Sequence, residues 1–309
     1  MFEKVKEFIG WFLATLAIFS LVMFLAIQSV LVFRLVESMD TSISPLKGKK
    51  VGLMKIEGPI MEIEDQLETL EEFRENDSVK AVLLDINSPG GAVSPSQELS
   101  KAVERVSDSG KPVIASIRSV GASGAYYIAS SSDTIYANPG SMVGSIGVLI
   151  QFMKMKDLIN KIGVEYRVVK SGRYKDLGSP FREMREDERK VLMNLIMDVY
   201  DQFIGHILDE RNKFTRSRLE SIADGRVFTG RQALKKGLID RTGTRKKALK
   251  AAARAGGISG EPDIVRYSGD RFSIFRSMGE LISPFTNLLR QRHRSFRLLY
   301  MMPQWGSNK

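Results

Sequence analysis

The sequence predicts an α/β protein with a mostly parallel sheet covered by helices on both faces, and three observations point that way. Short, near-continuous apolar runs read as strands buried on both sides. Segments of helical period lie between them. Two of the runs turn abruptly into glycine and small residues, Asn87-Ser88-Pro89-Gly90-Gly91 and Gly121-Ala122-Ser123-Gly124-Ala125-Tyr126-Tyr127, and loops at strand ends are where active sites sit.

In chain order, 51–56 reads as a strand and Glu57-Gly58-Pro59 as a turn. Residues 64–74 form a helix with Leu67, Leu70 and Phe73 on one face, and 79–86 a largely buried strand. The pattern continues with a helix over 94–106, a strand over 113–117, a helix start over 126–130 and a short strand over 132–137. A glycine-punctuated apolar segment at 143–150 precedes a helix at 157–161 and a strand at 166–169. A long amphipathic helix over 185–214 carries Val191, Leu195, Val199, Phe203 and Ile207 at helical spacing, with shorter helices at 218–223 and 230–237.

Composition bounds the rest. With 309 residues, 43% of them apolar, the chain buries one good-sized core, and a disordered chain is excluded. Cysteine is absent, which removes disulfides, thiolate metal sites and a cysteine nucleophile. His206 and His293 are the only imidazoles, so a histidine-based metal site is not expected. The net charge of +10 is spread along the chain and thickens near its end, and no recognition fold for nucleic acid accompanies it.

Residues 8–33 carry no charge. At ~1.5 Å per residue a helix over them is about 39 Å long, enough to cross a ~30 Å hydrocarbon layer with some tilt. The stretch exceeds a signal-peptide core and no small-x-small cleavage site follows, so an uncleaved anchor is expected. Lys4 and Lys6 precede it while Arg34, Lys47, Lys49 and Lys50 follow, a balance that weakly opposes export, although long domains translocate regardless of charge. The expected organisation is an anchor at 1–34, a linker at 35–50, a catalytic domain at 51–256 and a basic amphipathic tail at 257–309. Ser44-Pro45-Leu46-Lys47 matches a Ser-x-x-Lys pattern by chance, in the linker and without companion motifs.

Acyl transfer needs a nucleophile, a base and two donors aimed at the developing oxyanion. Ser123, between glycines and ahead of a helix start, is the candidate nucleophile. The N–H groups of Gly124 and Gly91 are the candidate donors, because glycine lets a substrate carbonyl approach the backbone. Ala125 breaks the Gly-x-Ser-x-Gly elbow, which disfavours an α/β-hydrolase. With histidine scarce, lysine is the better base. Lys175 follows Ser171-Gly172-Arg173-Tyr174 at a strand-end loop, and any lysine acting near neutrality needs burial or cationic neighbours to shed its proton. Each loop alone also reads as a tight turn, and Lys175 as an ordinary surface lysine.

Five ordered motifs carry a more specific resemblance: the two loops above, Gly144-Ser145-Ile146-Gly147-Val148, Lys170-Ser171-Gly172-Arg173-Tyr174-Lys175-Asp176, and Asp224-Gly225-Arg226-Val227-Phe228-Thr229-Gly230. Over about 51–256 their order and spacing resemble signal peptide peptidase A, the protease IV family, with Ala125 where that family commonly has glycine. The resemblance implies a Clp protease/crotonase-like fold and a Ser-Lys dyad at Ser123 and Lys175, without cofactor or metal. It also implies that Ser145 orients the lysine, that 224–228 is structural with Val227 and Phe228 in the core, and that single-length members form rings whose sites take groups from adjacent subunits. Expected substrates are extended apolar peptides such as signal-peptide remnants, at a membrane and outside the cytoplasm.

Two other readings stay open: a protease of the same fold acting on one membrane partner such as a stomatin-like protein, and a catalytically silent scaffold. A crotonase-type acyl-CoA enzyme is disfavoured, since soluble substrates give no reason for an anchor. In the tail, arginines from Arg271 to Arg297 alternate with Phe272, Phe275, Leu281, Phe285 and Phe296, as suits anionic lipid, a neighbouring subunit or a solvated tail alike.

Overall fold

A computed structural model describes residues 48–266 and 299–301, with Trp11, Thr15, Leu16 and 18–29 near the N-terminus. The chain divides into two units, Met1–Lys47 and Gly48–Lys309. In the first, 18–29 is helical. Among the described residues no helix is long and apolar enough to cross a membrane. The span expected over 8–33 lies partly outside those residues, as do Ser44 to Lys47, His293 and most of the tail.

The second unit begins with β1 (Lys50–Glu57), α1 (Glu64–Glu75), β2 (Val79–Ser88), β3 (Gly90–Ala92) and α2 (Val93–Asp108). Then come β4 (Val113–Ala122), α3 (Gly124–Ser130), β5 (Thr134–Ala137), β6 (Met142–Gly144), α4 (Lys156–Lys161) and α5 (Glu186–Glu210). The remainder is α6 (Arg216–Glu220), β7 (Val227–Thr229), α7 (Gly230–Lys236), β8 (Arg241–Thr242), α8 (Arg245–Ala255), β9 (Asp263–Val265) and β10 (Leu299–Met301).

The main sheet runs β7-β6-β4-β2-β1-β9, with β5 beside β4 and β8 beside β5. All its pairings are parallel except β6 with β7. Side chains alternate across it as the period of two requires. Val82, Leu84, Ile86, Ala115 and Ile117 pack on one face with the helical residues Leu70, Leu99, Tyr126 and Phe203. Leu53, Leu83 and Ile114 pack on the other with Ala248, Ala252 and Ala253 of α8. Burial on both faces explains why β2 and β4 read as continuous apolar runs.

One feature of β4 positions the site. Its first half, 114–117, pairs with β5, and its end, 120–122, pairs with β6, so Ala122 lies opposite Gly144. The chain leaves both strands at the same carboxyl edge of the sheet.

Most expected elements form within a few residues of their predicted bounds, and the exceptions have physical causes. Residues 166–169 are not a strand: they are exposed, Val169 completely, and no described strand is alongside to take their N–H and C=O groups. At 143–150 only the first residues join the sheet. The long helix stops at Glu210, because Arg211 leaves it to pair with Asp240 at 2.5 Å. Val191 and Leu195 are exposed, whereas Val199, Phe203 and Ile207 are buried. Val227, expected in the core, is exposed, and Phe228 alone is buried there.

Candidate active site

Ser123 is the residue between β4 and α3. It is 1% exposed, has φ 56° and ψ −120°, and donates its backbone N–H to Gly144 O at 2.7 Å while its own carbonyl accepts from Tyr127 N at 2.9 Å. Ser145, one residue beyond β6, has φ 49° and donates its N–H to Arg226 O at 2.9 Å. Among the described residues these two serines are the only non-glycine residues with positive φ. Such backbone costs of order 1–3 kcal/mol and persists where surrounding structure enforces it, commonly at functional sites.

Both serines line one cavity of ≈ 530 Å³. Its other walls are Gly147, Val148 and Leu149 after β6, Ile196, Met197 and Tyr200 of α5, and Glu220, Ala223, Asp224 and Gly225. The Tyr200 hydroxyl donates to Ala223 O at 2.9 Å and so fixes α5 to the 220–225 turn. The two acids on the wall are paired: Glu220 with Arg216 at 3.1 Å and Asp224 with Arg226, whose hydrogen bond holds the Asp224 carboxyl below the usual carboxylate range. What remains for a ligand is a mainly apolar cavity whose wall includes Ser123 and Ser145.

α3 is seated rigidly. All seven of its residues are buried, and the Tyr126 hydroxyl donates to Leu238 O at 2.8 Å. Gly124 is the first residue of α3, and first-turn N–H groups of a helix have no intrahelical acceptor. Gly91 lies in β3, buried, and is not part of the cavity wall. It must be glycine, since a Cβ there would lie 1.9 Å from Ile60 O. β10 pairs antiparallel with β3, with Tyr300 opposite Gly91.

Lys175 sits apart from this. It is exposed, does not line the cavity, and its side chain makes no hydrogen bond or ion pair among the described residues. Its loop is held by charge. Asp176 accepts from Lys170 and from Arg182 Nε, the latter at 2.8 Å, and Arg182 reaches on to the fully buried Glu188 of α5. Arg182 in turn holds the Glu188 carboxyl down at about 2 against the opposing effect of burial. Within one chain, then, the structure brings together Ser123, Gly124 and Ser145, and leaves Lys175 outside.

His206 is not at the cavity. It stacks on Tyr127 with ring centroids 3.9 Å apart, and burial pushes its imidazole down to about 4. The α5 wall residues Ile196, Met197 and Tyr200 escaped the sequence reading. The periodic residues singled out there, among them Val199 and Phe203, mark the core face, and the cavity wall is the stripe beside it.

Residues 105–259 match Peptidase family S49. A candidate protease of Methanocaldococcus jannaschii is 39% identical over 198 residues, which are 64% of this chain and 63% of that protein. A candidate protease of Synechocystis is 39% identical over 222 residues, 70% of this chain and 77% of that one. Protease 4 of Haemophilus influenzae is 30% identical over 66% of this chain and 34% of its own length, so the chain spans less than two thirds of several relatives that it matches. Among solved structures, a membrane-bound stomatin-specific protease matches 72% of this chain and 99% of its own at 16% identity and a TM-score of 0.46, too loose a likeness to argue from. With half of its length inside the family match, and a 39%-identical relative covered over most of its length, the chain belongs to peptidase family S49.

Proposed function

We propose that this chain is a membrane-anchored serine endopeptidase in which Ser123 is the nucleophile and Lys175 the general base. One observation carries the reading: the two enforced positive-φ serines stand side by side at the sheet's carboxyl edge, on the wall of one apolar cavity. Ser123 occupies a strand-to-helix turn, which presents a hydroxyl beside free first-turn N–H groups.

In the reaction, neutral Lys175 Nζ takes the Ser123 proton as Oγ attacks a peptide carbonyl. The oxyanion accepts hydrogen bonds from the N–H groups of Gly124 and Gly91. The lysine then gives its proton to the leaving amine. Water, deprotonated by the same amine, releases the acyl group and restores the serine. Ser145 orients the amine from the adjacent strand end.

A lysine this exposed does not reach Ser123's cavity within its own chain. The base for each nucleophile is therefore contributed by a neighbouring copy in a homo-oligomeric ring. The surface that carries it supports this: Met153, Leu158, Ile162, Val164, Tyr166 and Val169 are all exposed on the same segment, and an apolar surface of that kind marks an interaction site.

The apolar wall of the cavity suits extended apolar peptides such as signal-peptide remnants. The edge of β3 takes an extended chain antiparallel, as β10 does, which is one mode of peptide capture. The uncharged stretch 8–33 holds the catalytic domain at the cell membrane on its extracytoplasmic side, close to such substrates. The test is hydrolysis of an apolar peptide by the full-length chain in detergent, with labelling by a fluorophosphonate. Wild type turns over and is labelled at Ser123; a Ser123→Ala chain that cleaves as well as wild type ends the proposal.

A further inference from the structure

Away from the cavity, three acceptors converge between α2 and α5. Glu104 of α2 faces His206 and Glu210, which lie one helical turn apart on α5, and one ligand atom from each falls within 4.8 Å of the others. His206 Nε2 lies 3.1 Å from Tyr127 O and 3.3 and 3.4 Å from the Ser100 and Ser131 hydroxyls. The shortest of these contacts is to a carbonyl, which accepts only, and it favours the proton on Nε2. Nδ1 then presents a lone pair. It faces Glu104 Oε1 at 3.9 Å and has no hydrogen-bond donor among the described residues.

The imidazole is nine-tenths buried, its side chain 6% exposed, and is locked by its stack on Tyr127. Lys101 takes the other Glu104 oxygen, Oε2, at 2.5 Å, so Oε1 stays directed at the histidine. A nitrogen lone pair and two carboxylate oxygens lie within 4.8 Å of one another, with the Ser131 hydroxyl donating to Glu104 Oε1 at 3.4 Å, and the three acceptors are complementary to a cation.

The geometry points to a divalent-cation site at Glu104, His206 and Glu210, taking zinc. One imidazole nitrogen with two carboxylate oxygens is a zinc donor set, and water completes the tetrahedron. Magnesium fits poorly, because it prefers all-oxygen octahedra that retain several waters. To reach the ~2.0–2.2 Å of zinc coordination, the donors close in from separations of up to 4.8 Å. The Tyr127 carbonyl that orients the imidazole is the outer partner expected behind a ligating histidine. A bound ion ties α2 to α5, and through His206 to α3, whose first turn follows Ser123. The site is a structural clamp, independent of the peptidase reading.

The experiment uses the tag-free full-length chain in detergent, stripped with a chelator, loaded with zinc chloride and passed through a desalting column. One zinc per chain and a higher melting temperature are expected, with no comparable shift from magnesium chloride. Glu210→Gln and Glu104→Gln keep native circular dichroism and bind at least about tenfold more weakly, since even loss of an outer partner costs 10–100-fold. A wild-type chain that retains no zinc, or a folded variant of either glutamate that binds as tightly as wild type, overturns the site.

Discussion

The proposed nucleophile and the proposed base are held in opposite ways. Ser123 is enclosed: Gly121 and Ala122 before it and the whole helix after it are buried, and its backbone is hydrogen-bonded on both sides. Lys175 is carried on an exposed loop that charges, not core packing, tie to α5. Under the proposed mechanism the difference means that the oxyanion side of the reaction is built within one chain, whereas the proton-transfer side is supplied by a neighbour. It also makes the two halves respond differently to mutation.

Lys175→Ala separates activity from stability most widely. Removing the proposed base lowers kcat/KM for an apolar peptide at least about 10³-fold, by analogy with loss of a triad member. An exposed side chain without partners among the described residues leaves the unfolding free energy from urea titration within about 0.5 kcal/mol of wild type. A large loss of stability would show that the loop is more deeply built in than its exposure indicates.

A pair of glycine substitutions sharpens the contrast. Gly91→Ala drives a Cβ into the Ile60 carbonyl and costs about 3 kcal/mol of unfolding free energy. Gly172→Ala, three residues before the lysine and with nothing within 4 Å of its added Cβ, costs less than about 0.5 kcal/mol. Equal costs in denaturant titrations would erase the distinction between the halves.

Ser145 tests whether enforced backbone serves function. Ser145→Gly relieves a φ of 49° and raises stability by up to about 1 kcal/mol. If its hydroxyl orients the lysine as proposed, the same change lowers kcat/KM about tenfold. Unchanged activity would reduce Ser145 to a turn residue.

The smallest effect is on acid stability. Glu188 has its carboxyl lowered from 4.5 to about 2 by Arg182. A depressed carboxylate stabilises fully above its unfolded value and loses that contribution as pH falls through the folded one. Between pH 4.5 and 2 the loop over 170–185 therefore loosens before the core does. Hydrogen exchange, corrected for intrinsic rates, rises there at pH 3 relative to pH 5 while the amides of α3 stay protected; parallel behaviour of both segments would contradict the charge tether.

The same contrast governs what was legible in the sequence. β2 and β4 were readable because burial on both faces writes itself as runs of Val, Ile, Leu and Ala interrupted by few polar residues, and α3 because Gly124 opens an apolar run after a strand. The expected strand at 166–169 has the residues of a strand but no partner among the described residues, and pairing cannot be seen in composition. α8 was missed because its core contacts are alanines, which give a weak periodic signal. Ser123 and Ser145 were named from glycine context and family resemblance, yet their shared positive φ, the feature that sets them apart, has no one-letter signature. The cluster at Glu104, His206 and Glu210 joins helices about a hundred residues apart, beyond the reach of any local motif.

The account stands most directly on a mixing experiment. Full-length Ser123→Ala and Lys175→Ala chains, each inactive alone, are dissociated, combined in equal amounts and reassembled, and hydrolysis of an apolar peptide is followed. If each base is donated by a neighbouring copy in a ring, about a quarter of the sites regain both groups, and activity returns to roughly that fraction of wild type. A reassembled mixture that stays as inactive as its components, beside an active reassembled wild type, contradicts a nucleophile and base supplied by different chains.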